Sequence, residues 1–337
     1  MYLLNQLYYD QATILQEDFV VHMKSEGIGF GKTILFNEHF VVYGVPAIVS
    51  AIGKYTIAKA TPYEGTEFNL LDNRHATPKY KEDKFEQQQD SIRRILEKMN
   101  IVFSQEGVTV ELAGSLYVAS GIGASAASCV AIARALSNYY TLDLGDDEIN
   151  EIAYEGEKGY HGTPSGIDNT ASTFGGLIWF EKKEEPIMEK ISLMNPVDIV
   201  IGNTGKIADT KKAVEEVRTR KEQNPEKYQA IFNRAENIAY LAKQAFIDED
   251  YQEIGKLMNE NHKLLQQIEV SSRELDFLVK LSREYGALGA KLTGGGLGGN
   301  MIALTPGRDL QDDIANAIEK EGFQTVKTVI GATRSGE

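Results

Sequence analysis

From Gly27 to about Pro62, β-branched and aromatic residues alternate with glycines in the runs TILF, HFVVYG, AIVSAI and YTIAKA. This pattern predicts consecutive strands joined by tight turns. Residues 63–88 are rich in Asp, Asn, Lys and Gln and read as an exposed excursion. A helix is expected over 89–99 and a strand over 108–112 (VTVEL). The run ASAASCVAIARALSNYY then places Ala127, Val130, Ala131 and Ala135 near one helical face. VDIVIGNTG (197–205) reads as a strand, followed by helical stretches at about 209–222, 226–247 and 251–268. A further helix starts at Ser271, whose S-x-x-E with Glu274 has the form of a capping box. The chain closes as strand (AKL), glycine loop, strand (MIAL), helix (309–321) and strand (FQTVKTVIG). Residues 1–20 read as a short amphipathic extension. The mixture of strand runs and helix runs predicts an α+β protein of two parts, with 197 a reasonable place for the border.

Between these halves lies GEKGYHGTPSGIDNTASTFGG (156–176). A helical pattern of Ile149, Ile152, Ala153 and Glu157 precedes its turn. After it, Thr163 is expected to cap a new helix, Pro164 to take the first helical position, and Gly175-Gly176 to end it. Two carboxylates, Glu157 and Asp168, would thus be held by two helices and a stiff turn. Either they are solvated acids at an ordinary corner, or they divide the work of magnesium-assisted phosphoryl transfer.

Composition narrows the options. The 337-residue chain is 42% apolar and 25% charged, with a net charge of −14. That excess of acid argues against a general nucleic-acid or anionic-membrane surface. An anion site must therefore be built locally, from a lysine, a helix N-terminus or a bound cation. The lone Cys129 excludes an intramolecular disulfide and a cysteine zinc site, and its small-residue run predicts a buried thiol. The N-terminus has no basic flank, and no run approaches the roughly 20 apolar residues of a membrane span, so cytoplasm is the default expectation.

Three glycine loops carry candidate chemistry. SGIGASAAS (120–128) runs into a helix, where unpaired N–H groups and the positive dipole end suit a di- or triphosphate; Ser125 is placed to touch a phosphate oxygen or its magnesium. The alternative is a tight turn into a close-packed helix. EGIGFGKTILF contains GKT but is not a P-loop: Glu26 stands where glycine is required, and the run after Lys32 is strand-like. Lys32 is then either solvated at a strand start or turned into a site, and Glu38-His39 either a turn or part of one. KLTGGGLGGNMIAL has five glycines between two strands, either a tight bulge or a backbone that closes over a ligand, and no strand-GxGxxG-helix unit, which argues against a Rossmann site.

These motifs together resemble the GHMP kinase superfamily, and within it the mevalonate kinase branch, across nearly the whole chain after residue 26. GKTILFNEHFVVYG is similar to the first family motif, P-G-K-x-I-L-x-G-E-H-x-V-V-x-G. SGIGASAAS is similar to the second, G-x-G-L-G-S-S-A, and KLTGGGLGG to the third, K-x-[ST]-G-x-G-x-G-G. HGTPSGIDNTASTFGG resembles the segment between the second and third motifs in its mevalonate kinase form. The galactokinase-type R-x-N-L-I-G-E-H-x-D-Y is not seen.

The resemblance implies a ribosomal protein S5 domain 2-like N-terminal domain (21–196) and a ferredoxin-like C-terminal domain (197–337). It implies ATP-dependent phosphorylation of (R)-mevalonate at the C5 hydroxyl, with Mg2+, in a homodimer. Asp168 would meet that hydroxyl, with Lys32 beside it stabilising charge on the transferring phosphoryl. Ser125 and Glu157 would hold magnesium. Ser120, Gly121, Ile122, Gly123, Ala124, Ser125 and Ala126 would wrap the ATP phosphates. Glu38 and His39 would line the acceptor side, and Gly294, Gly295 and Gly296 would help close the site. Three positions depart from the pattern: Phe30 replaces a proline, Asn37 a glycine and Ala124 a serine. The first two bear on acceptor identity more than on ATP use. A different acceptor within the superfamily is the second enzyme reading. A silent metabolite sensor would be expected to lack Lys32, Ser125, Glu157 or Asp168, and all four are present.

Overall fold

The computed structural model describes residues 25–76, 79–117, 121–206 and 210–334. The expected extension at 1–20 and the phosphate-loop residue Ser120 lie outside them. The chain forms two compact units. Among the described residues, the first holds 25–29, 55–76, 79–117 and 124–164; the second holds 30–54, 121–123, 165–206 and 210–334. Strands β1 (Glu26–Phe36) and β2 (Ala47–Tyr63) each contribute to both.

In the first unit, the second half of β2 pairs antiparallel with β4 (Gly107–Gly114), and β3 (Phe68–Asp72) joins β4 in parallel. Alternate residues of these strands, Ala58, Ala60, Val108, Val110 and Leu112, are buried against three helices. Those helices are Phe85–Lys98, Ala124–Tyr139 and Asp146–His161, which supply Ile92, Ile95, Val130, Ala131, Ile149 and Ile152. Val130, Ala131 and Ala135 of the expected stripe are part of this core, and Cys129 is buried in it as expected.

In the second unit, β7 (Val197–Asn203), β8 (Gly289–Thr293), β9 (Asn300–Leu304) and β10 (Gln324–Ile330) form an antiparallel sheet in the order β10-β7-β9-β8. This 4-1-3-2 order of strands, with a helix (Arg308–Lys320) before the last, is that of the ferredoxin-like arrangement. Four helices rather than one fill the first crossover: Thr210–Gln223, Pro225–Ile247, Tyr251–Gln267 and Arg273–Glu284. The first half of β2 pairs with β5 (Leu177–Glu181), which pairs with β6 (Ile187–Ile191). Buried Val49, Ile178 and Phe180 pack there with Ile167 and Ala171 of a short helix, Ile167–Phe174.

Five local expectations are corrected. AIVSAI and YTIAKA are one strand, because Gly53 does not turn the chain but gives room to Val329, which a Cβ at 53 would approach to 2.9 Å. HFVVYG is no strand: Asn37 (φ 68°) and His39 (φ 44°) turn the backbone, and Val41–Tyr43 form a short 3-10 turn. The polar segment 63–88 contains β3, half-buried beside β4, and the short helix Tyr80–Asp83. The helix after the central turn starts at Ile167, not Pro164, since Gly166 adopts φ 85° and sets its first turn. The cap expected of Ser271 is made by Ser272, whose hydroxyl accepts from the Leu275 amide; Ser271 instead donates to Asp276 Oδ1.

Candidate active site

Two groups of candidate residues emerge, one in each unit. In the second unit, Lys32 sits within β1 and is only 6% exposed, so it is not a solvated strand-start lysine. Its Nζ lies 2.9 Å from Asp168 Oδ1. Asp168 stands in the first turn of the Ile167–Phe174 helix, where the dipole favours a negative side chain. Its side chain keeps 32% of its surface exposed. A buried ammonium beside a reachable carboxylate can orient a hydroxyl and meet negative charge on a transferring group.

The turn after β1 carries Glu38 and His39. Glu38 is 2% exposed and pairs with Lys291 Nζ at 2.5 Å, a buried ion pair reaching from this turn to β8. Burial pushes the Glu38 carboxyl above its ordinary range, and the Lys291 ammonium opposes that shift. Burial likewise brings His39 down to about 4, so the ring is neutral near pH 7. Asn37 adopts its positive φ completely buried. Its Nδ2 donates to the carbonyls of Pro46 (2.8 Å) and Ala235 (2.9 Å), and its Oδ1 accepts from Asn261 Nδ2 at 2.8 Å. A glycine would allow the same turn without these bonds. Phe30, which stands in place of the family proline, packs against Ala51 and Ala332.

The third glycine loop is tied to this region. Thr293 Oγ1 donates to the Ile34 carbonyl at 2.9 Å and accepts from the Ile34 amide at 3.2 Å. Gly294 and Gly296 have φ of 82° and 66°. A Cβ on Gly296 would stand 2.3 Å from the Val270 carbonyl oxygen and 3.2 Å from His39 Nε2, so the loop lies directly on His39. Behind it, His262 Nδ1 accepts from the Leu292 amide at 3.3 Å, which puts the ring proton on Nε2, beside Asp276 Oδ1 at 3.2 Å.

In the first unit, Ser125 is the second residue of the Ala124–Tyr139 helix, and Glu157 is buried near the end of Asp146–His161. His161 Nε2 lies 3.3 Å from Ser125 Oγ and 3.8 Å from Glu157 Oε2. A hydroxyl and a carboxylate therefore approach the same point. Among the described residues there is no cluster of three or more His, Cys, Asp or Glu able to hold a metal. A pair of hard oxygens fits Mg2+ all the same, since that ion commonly takes one or two protein ligands and completes its shell with phosphates and water. Gly121 (φ 71°), Ile122 and Gly123 (φ 81°) precede this helix in sequence and belong to the second unit. There the Ile122 carbonyl accepts from the Lys32 amide at 2.8 Å.

Sequence reasoning did not single out Lys291, Thr293, His161 or Asn261. The first two were legible only as letters of a glycine motif. His161 carried a signal, four residues after Glu157 on one helix face. Asn261 had none.

The chain matches the GHMP kinases N terminal domain over residues 89–176 and the GHMP kinases C terminal family over residues 242–324. It is 36% identical over 318 residues to the mevalonate kinase of Thermococcus sibiricus, covering 89% of this chain and 94% of that one. The chain belongs to the mevalonate kinases of the GHMP family. The mevalonate kinase of Pyrococcus abyssi is 35% identical, with 86% and 91% of the two chains covered. Among solved structures, L. major mevalonate kinase in complex with R-mevalonate is similar at a TM-score of 0.87 and 39% identity, over 91% of this chain and 96% of that one. The fold of this mevalonate kinase family member is accordingly the two-domain GHMP kinase fold. No helix among its described residues is long and apolar enough to cross a membrane.

Proposed function

We propose that the protein transfers the γ-phosphoryl group of ATP to the C5 hydroxyl of (R)-mevalonate, giving 5-phosphomevalonate and ADP. The observation that carries this reading is the Lys32–Asp168 pair at 2.9 Å, in a chain 39% identical to an enzyme crystallised with R-mevalonate. Asp168 receives the hydrogen bond of the C5 hydroxyl and orients its oxygen for in-line attack. As the new O–P bond forms, the bond from the γ-phosphorus to the β,γ-bridging oxygen breaks, and the hydroxyl proton passes to the carboxylate. Lys32 meets the charge carried on the equatorial oxygens. A loose transition state asks more of positioning and electrostatics than of a strong base.

The phosphates are assigned to the loop of Ser120, Gly121, Ile122, Gly123, Ala124, Ser125 and Ala126. Ser125 and Glu157 would hold Mg2+, which when bound neutralises phosphate charge. Glu38 and His39 take the acceptor side and Gly294, Gly295 and Gly296 the closing loop. The division at residue 197 stays a proposal: the family matches, over 89–176 and 242–324, fit any border between them, and the two compact units interleave along the chain, with Phe30–Lys54 in the second, and do not part at 197. We read the working form as a cytoplasmic homodimer, which sedimentation of the purified protein would test.

The deciding experiment is ADP release with magnesium-ATP and a panel of mevalonate, phosphomevalonate, homoserine and galactose. Turnover with mevalonate, and a product identified as the 5-phosphate by 31P NMR, is expected. Turnover only with another acceptor would sink the assignment.

A further inference from the structure

Lys291 is completely buried in the middle of β8. Its Nζ donates to Glu38 Oε1 at 2.5 Å and to the Leu292 carbonyl at 2.7 Å. Taking two charges out of water is expensive, and a methionine in the lysine's place would pack without that cost. Stability alone therefore gives no reason to keep the pair. The second oxygen of the same carboxylate, Glu38 Oε2, is buried with no hydrogen-bond partner among the described residues, while the adjoining His39 ring faces the backbone of Gly295. Buried polar atoms are nearly always satisfied, so this carboxylate oxygen marks a place where a ligand supplies the partner.

Charge completes the picture. Glu38 feels Lys32 as well as Lys291, and Lys32 is paired with Asp168. Two carboxylates and two ammonium groups make a set with no net charge. An acceptor carrying its own carboxylate can then approach without net repulsion, whereas loss of one ammonium would leave an excess negative charge in its path.

We infer that Lys291 is a positioning residue for the phosphoryl acceptor: it clamps Glu38 Oε1, so that Oε2 is presented as a hydrogen-bond acceptor to a hydroxyl of the bound substrate. Lys291 itself touches no substrate. The inference rests on the acceptor side assigned above and deepens it by naming what holds that side in place. Its signature is selective: the KM for the acceptor depends on Lys291, and the KM for ATP does not.

The test compares Lys291→Met, Glu38→Gln and the double variant with the full-length wild type, by steady-state kinetics in both substrates and by thermal melting. Lys291→Met is expected to raise the KM for mevalonate by about tenfold or more, the worth of one well-placed hydrogen bond. The KM for ATP stays within about twofold. The double variant is expected to match Glu38→Gln within about twofold, because Lys291 acts only through Glu38. An unchanged mevalonate KM in folded Lys291→Met, or equal rises in both KM values, would overturn the inference. If Lys291→Met does not fold, the double variant leaves no lone buried charge and is compared with Glu38→Gln. A further rise of about tenfold between those two counts against the inference, and equality supports it. Should the wild type ignore mevalonate but use another acceptor, the substrate assignment fails. The same ratios measured with that acceptor then decide the role of Lys291 separately.

Discussion

Gly123 lies against the side chain of Lys32. A Cβ built at 123 would stand 2.7 Å from Lys32 Cγ, and the backbone there has φ 81°. Gly123 thus makes room for the lysine. Gly123→Ala is expected to push Lys32 away from Asp168 and lower kcat by about a hundredfold, as displacements near 1 Å do at a reacting centre. Thermal melting should fall only slightly, since one alanine held at positive φ costs about 1–2 kcal/mol. An unchanged kcat would remove the contact from the mechanism.

Asp168→Asn keeps the size of the side chain and removes its capacity to take a proton. Its kcat should drop by about 10²- to 10⁴-fold, the range for a positioned acid–base group. Binding of ATP, followed by fluorescence of a nucleotide analogue, should be retained. Near-normal turnover would exclude Asp168 from the chemistry.

Asn37 combines a positive φ with three buried side-chain hydrogen bonds. Asn37→Ala strands the Pro46 and Ala235 carbonyls and Asn261 Nδ2, and keeps an unfavourable φ. A loss of about 4 kcal/mol is expected from urea unfolding. Asn37→Gly relieves the backbone and should be milder by about 1 kcal/mol. Equal losses in the two variants would show that the backbone conformation contributes nothing.

Two buried histidines make stability depend on pH. His39 and His262 are each brought down by burial from 6.5 to about 4. Below pH 6.5 the unfolded chain binds protons that the folded chain refuses, so unfolding is favoured as pH falls. The stability from these groups is complete above pH 6.5, declines between 6.5 and 4, and is flat below 4. At pH 5 the loss is about 2 kcal/mol for each histidine. The urea midpoint should therefore fall between pH 7.5 and 5 in the wild type, and less in a His39→Gln, His262→Asn double variant. An equal fall in both would assign the effect to other groups.

Much of the architecture was legible in the chain because it rests on local periodicity. The helices at 124–139, 225–247 and 251–267 and the strands β4, β7, β9 and β10 bury faces whose spacing is written in neighbouring residues. Glycine motifs and the HGTPSGIDN segment likewise pointed to the family, since short turns need particular residue types wherever they occur. Local signals failed where distant partners set the conformation. Gly53 reads as a turn until Val329 is placed opposite it, and FNLLD, inside the polar segment 63–88, becomes strand β3 only because β4 offers an edge to pair with.

The candidate site divides in the same way. Its chemical parts, Lys32, Glu38, Asp168, Ser125 and Glu157, could be picked from sequence because each stands in a short recognisable motif. Their partners could not. Lys32 meets Asp168 across 136 positions, and Glu38 meets Lys291 across 253, in pairings that no local pattern encodes. Nor could burial be read from the letters: a lysine at a strand and a lysine in a core look alike until the strands on either side are packed. Residue types and local turns are properties of neighbours along the chain, whereas ion pairs, desolvation and the shape of an acceptor pocket arise only when remote segments meet.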